Sequence, residues 1–99
     1  MSEIITRIKS RFDHAAARKV LQEKYQAKML FAHSGGMWCA GPELLTTLSN
    51  CPGTDAVILD IYQNPVQVQI KELYELAQQR WQEQMNAWLI EHNNLQRQR

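Results

Sequence analysis

The chain has 99 residues, 44% of them apolar and 21% charged, with a net charge of +1. That is enough for one domain with a modest core, and it excludes a disordered chain. No apolar run reaches the roughly 18 residues needed to cross a bilayer, and residues 1–12 lack the apolar stretch of a secretory signal, so a protein neither secreted nor membrane-bound is expected.

Residues 2–27 are predicted to be a basic helical segment. Ser2 and Asp13 are candidate caps, and Ile4, Ile5, Ile8 and Phe12 form a first apolar stripe. Ala15, Ala16 and Ala17 precede Val20, Leu21 and Tyr25, which reads as one helix bent near Phe12–His14 or as two short helices in series. Residues 1–28 carry seven basic against three acidic side chains, a net of +4, whereas residues 29–96 carry two against seven, a net of −5; Arg97 and Arg99 follow. A basic head on an acidic middle suits docking to an acidic protein surface, to nucleic acid or to a second subunit head to tail.

Residues 28–40 are predicted to be a β-hairpin. Strand-like residues flank Ser34-Gly35-Gly36, where glycine supplies positive φ at no steric cost. A phosphate-cradling loop would need a helix directly after the glycines, and Met37-Trp38-Cys39 follows instead. A short helix over 42–50 is marked by Pro42 at its first position and Glu43 behind it. Residues 56–62 (AVILDIY) read as a central strand, with Asp60 either on its outward face or as a buried functional carboxylate. Val66 and Val68 suit a short edge strand.

The long helix over 69–95 dominates the chain. Ile70, Leu73, Tyr74, Ala77, Trp81, Met85, Trp88 and Leu89 recur at helical spacing among strong helix formers, with no Gly or Pro between them. Such a helix spans roughly 35 to 40 Å, longer than the diameter of about 30 Å expected for a compact domain of this size. Part of its apolar stripe should therefore project past its own core. Trp81 is assigned to the core. Trp88, Leu89 and Leu95 are assigned to a partner interface, together with Arg7, Arg11 and Lys24 of the basic helix. The abundant glutamines suit either a solvated face or an interface that hydrogen-bonds a partner without burying charge.

The fold class expected is α+β: a small antiparallel or mixed sheet, from the hairpin 28–40 and the strand 56–62, packed with the N-terminal and the long C-terminal helix. No catalytic set is legible. His14, His33 and His92 fall on three elements. Cys39 and Cys51 form no CxxC pair and are expected to be reduced thiols, Cys39 in a buried strand. No nucleotide, hydrolase or metal motif occurs, so no enzyme, cofactor or metal is expected. Nucleic-acid binding by the basic helix is the alternative, although the sequence pI of about 7.8 lies below the usual mark of about 9.

Residues 31–48 (FAHSGGMWCAGPELLTTL) and 72–89 (ELYELAQQRWQEQMNAWL) resemble small proteins of tailed bacteriophages, particularly T4-like ones, in which a Gly-Gly hairpin runs into a Pro-Glu-Leu helix. The resemblance covers about a third of the chain, and its motifs are structural. It implies a non-enzymatic virion or assembly protein located in the particle or the bacterial host cytoplasm, with other protein subunits as partners.

Overall fold

The structure is a computed structural model that describes residues 2–97, with side chains from residue 14 onward. Seven elements follow in order: α1 (Ser2–Lys28), β1 (Leu30–His33), β2 (Gly36–Cys39), α2 (Pro42–Ser49), β3 (Asp55–Leu59), β4 (Pro65–Gln69) and α3 (Ile70–Arg97). The architecture is α+β. α1 is a single helix of 27 residues, uninterrupted at Phe12–His14. Ser2, Arg7 and Arg11 lie outside the described side chains.

The strands pair as two separate antiparallel hairpins, β1 with β2 and β3 with β4. In the first, His33 faces Gly36 across a two-residue loop. Ser34 (φ 53°) and Gly35 (φ 81°) both take the left-handed conformation that this tight turn demands. Gly36 is needed for a different reason. A Cβ there would lie 2.9 Å from Cζ2 of Trp38 and 3.1 Å from Cγ2 of Val66, so the missing side chain lets the indole lie flat beneath the strand. The indole N–H then donates to the His33 carbonyl at 2.9 Å.

The run 56–62 does not continue as a strand to Tyr62, and it is not central. β3 ends at Leu59 because Asp60 turns the chain. Its carboxylate accepts the backbone N–H groups of Tyr62 and Asn64, each at 3.0 Å, and that of Met37 at 3.2 Å. Asp60 is therefore buried and holds the turn, and it is not outward-facing. The three donors hold it below the ordinary carboxylate value of 3.8 against the opposing effect of burial, the bond from Asn64 foremost. The Met37 N–H bond, with Ile61 N–H donating to the Met37 carbonyl at 3.0 Å, ties the two hairpins together.

The core gathers Trp38, Leu48, Val68 and Leu73, each 2% exposed or less, with Phe31, Leu44, Ile58, Val66, Ile70 and Tyr74 packed around them. Strand alternation puts Trp38 and Ala40 inside and Cys39 outside, contrary to the buried Cys39 expected. Trp81 is only half-buried; Trp38 is the core tryptophan. All of this lies against the first turns of α3, whose buried residues are Leu73 and Ala77. Beyond them α3 runs antiparallel to α1 as a two-helix arm. The Cα trace measures 65 × 23 × 20 Å with a radius of gyration of 18.6 Å, against about 13 Å for a compact chain of this length.

Candidate interaction surface

The arm is held by one cluster. Tyr25 of α1 stacks on Trp88 of α3, ring centroids 5.9 Å apart and planes 6° from parallel. The ammonium groups of Lys24 and Lys28 lie 5.3 and 5.2 Å from the centre of the Tyr25 ring. Lys24 also reaches across the helices to Glu91, Nζ to Oε1 at 2.8 Å. The hydrogen bond with Glu91 raises the Lys24 pKa and lowers that of Glu91. Burial, with the Glu91 charge nearby, pushes the Tyr25 phenol up. Lys24, expected at a partner interface, is thus engaged within the chain, while Arg18 and Lys19 remain exposed on α1.

One face of Trp88 is spent on Tyr25; its remainder borders a groove of about 810 Å³ at the base of the arm. Trp81, Met85 and Trp88, spaced four and three apart, form one wall. The others come from Met29, the β2–α2 junction and the outer row of β3. That row is apolar and bare: Val57 is 66% exposed and Leu59 57%, and Ile61, just past the end of β3, is 37% exposed. Trp38 floors the groove, so the three tryptophans of the chain all border it. The lining holds two carboxylates, Glu43 and Asp60, and no Lys or Arg. Asp60 is already committed to three N–H groups.

β3 also has an open edge. Asp60 N–H donates to the Asn64 carbonyl and Ile70 N–H to that of Thr54, so the even-numbered residues of β3 direct their main-chain groups to β4. Val57 and Leu59 direct theirs outward. Pro65 stands opposite Leu59, where the ladder needs no N–H from it.

Towards the tip of the arm, Leu89 is 58% exposed and Leu95 half-buried, while Val20 and Ile90 are 65% and 62% exposed. The interface residues anticipated from the sequence thus divide: Trp88 borders the groove, and Leu89 and Leu95 lie on the arm beyond it. The β3 row and Met85 were not anticipated. Their signal was the run Ala56–Leu59, apolar at successive positions and therefore on both faces of a strand.

His33 Nε2 stands 3.7 Å from Glu72 Oε1, and His92 contacts Gln96. Among the described residues no three His, Cys, Asp or Glu side chains are grouped to hold a metal, and no helix is long and apolar enough to cross a membrane. No protein-family model, curated protein or solved structure matches the chain.

Proposed function

We propose that this chain is a non-enzymatic interaction module, a small structural or assembly protein of a tailed bacteriophage, that binds other protein subunits through its two-helix arm. Its place is the virion or the cytoplasm of the bacterial host. The observation that supports the reading is the state of α3 beyond Ala77: twenty residues follow to Arg97, and none of them is fully buried. Two helices can cover only one stripe of each other, and here that stripe leaves Trp88 and Leu95 half-covered and Leu89 open. Binding a subunit along the arm would enclose them.

Amide hydrogen exchange tests this. Residues 86–97 should exchange rapidly in the isolated chain and become protected in its native assembly, with Leu89→Glu and Leu95→Glu weakening that protection. Equal exchange in both states, with both variants assembling like the parent chain, would overturn the proposal.

A further inference from the structure

The chain exposes more surface than its mass accounts for. A monomer of 11.5 kDa should expose about 5,800 Å²; this one exposes 7465 Å². The excess, about 1,700 Å² per chain, is spread over the elongated arm and the groove face together, and its size falls in the range that each copy loses when an obligate homodimer buries about 2,000 to 5,000 Å² in total.

The groove face has the features a second copy would need. It carries both a ridge, Val57 and Leu59, and a trough, Trp81, Met85 and Trp88, as a two-fold interface requires of one patch. Its lining offers a single uncommitted charge, Glu43, so a strongly charged partner finds at most one group to pair with there, whereas a neutral apolar ridge fits. Covering the edge of β3 also demands partners for the N–H and C=O groups of Val57 and Leu59. The same edge of a two-fold-related copy runs antiparallel and supplies them.

We infer that this face is a homodimer interface. β3 pairs edge to edge with β3 of the second copy, and the joint band of Val57 and Leu59 side chains closes over Trp81, Met85 and Trp88 of both. This goes beyond the arm-binding function proposed above: that surface runs from Trp88 through Leu89 and Leu95 toward the tip of the arm, whereas this one is centred on β3 and shares only Trp88 with it.

Sedimentation and tryptophan emission, followed on dilution from about 100 µM, provide the test. The expected result is a particle of twice 11.5 kDa whose emission shifts to the blue as it forms, since Trp81 and Trp88, only half-buried in the single chain, border the groove. Leu59→Glu buries an unpaired charge and should weaken association by about a hundredfold or more, with the circular dichroism of the parent retained. Val57→Lys should do the same if Leu59→Glu fails to fold. Ile90→Glu, equally exposed but on the opposite side of α3 from Trp88, should leave the dimer intact. Cys39 is exposed beside the groove, so its alkylation should slow in the dimer and recover in Leu59→Glu. A chain monomeric at about 100 µM, a dimer indifferent to both β3 variants, or one lost in Ile90→Glu would overturn the inference. A monomer whose residues 86–97 are still protected by another protein would overturn it while leaving the arm-binding function standing.

Discussion

The body and the arm are built from the same helix under different conditions. Over its first turns α3 meets β4, α2 and the hairpin core, and Leu73 and Ala77 are sealed completely, each 0% exposed. Over its last turns it meets one helix, and Trp88, a larger and more apolar side chain than Ala77, stays half-open. Side-chain type therefore does not decide burial here; the number of neighbours does. Where three layers converge the apolar stripe is satisfied, and where only two helices run together the same stripe continues with nothing over it.

The largest break in this comparison should come from truncating the body. Leu73→Ala or Leu48→Ala should cost about 2 to 5 kcal/mol in urea unfolding, because each empties a site that neighbours fill on every side. Leu95→Ala in the arm should cost less than about 1 kcal/mol in the isolated chain, since little packing is lost from a half-open site. Equal costs would mean that the arm is as well packed as the body.

A smaller break tests the hairpin. Gly36→Ala places a methyl group 2.9 Å from the Trp38 ring, and overpacking of this kind costs about 1 to 3 kcal/mol. Gly35→Ala, with open space around it but φ at 81°, should cost only about 1 kcal/mol of backbone strain. Reversal of that order would show that the turn, not the seat of the indole, limits the first hairpin.

These residues also show what could be read in advance. The Ser34-Gly35-Gly36 turn, the Pro42 helix start and the long period of α3 are local features, and the elements they marked end within one or two residues of expectation, as helix ends usually do. The end of β3 was local only in part. Asp60 receives the N–H groups of Tyr62 and Asn64 within its own turn, but its third bond comes from Met37, 23 residues away, which no window around Asp60 contains. Alternation divided Trp38 from Cys39 but did not say which faced inward. The run 56–62 read as a central strand because the apolar residues Ala56–Leu59 make both its faces greasy. Within one chain it is an edge strand with one face bare, and that mismatch between pattern and place locates the groove.

The pH dependence of stability should separate the two regions further. Asp60 has a lowered folded pKa, so its contribution is present above the ordinary value of 3.8 and disappears as pH falls through the depressed one. Asp60→Asn keeps an acceptor for some of the three N–H groups but loses the charge, so it should lower the unfolding midpoint at pH 7 and have progressively less effect below about pH 4. The signal belongs to the body, because Asp60 joins the two hairpins. A deficit that is constant across that range would mean that shape, not charge, holds the junction.

The smallest effect belongs to the clasp of the arm. The Lys24 and Glu91 side chains are 44% and 39% exposed, so solvent screens the pair and holding two long side chains offsets much of the attraction. The raised Lys24 pKa makes its contribution present below the ordinary 10.5 and lost as pH climbs through the folded value. The lowered Glu91 pKa makes its contribution present above 4.5 and lost as pH falls through the folded value. The clasp therefore operates between those limits. Lys24→Gln should shift the unfolding midpoint less than any variant above, and the shift should vanish in about 1 M salt, where the Debye length shrinks to about 3 Å. Amide exchange near Tyr25 and Trp88 should nevertheless quicken, because the clasp fixes where the two rings stack rather than how stably the body folds. If Lys24→Gln instead lowered the midpoint as much as Leu73→Ala, arm and body would unfold as one unit, and the open stripe of α3 could not be a surface held apart for a partner.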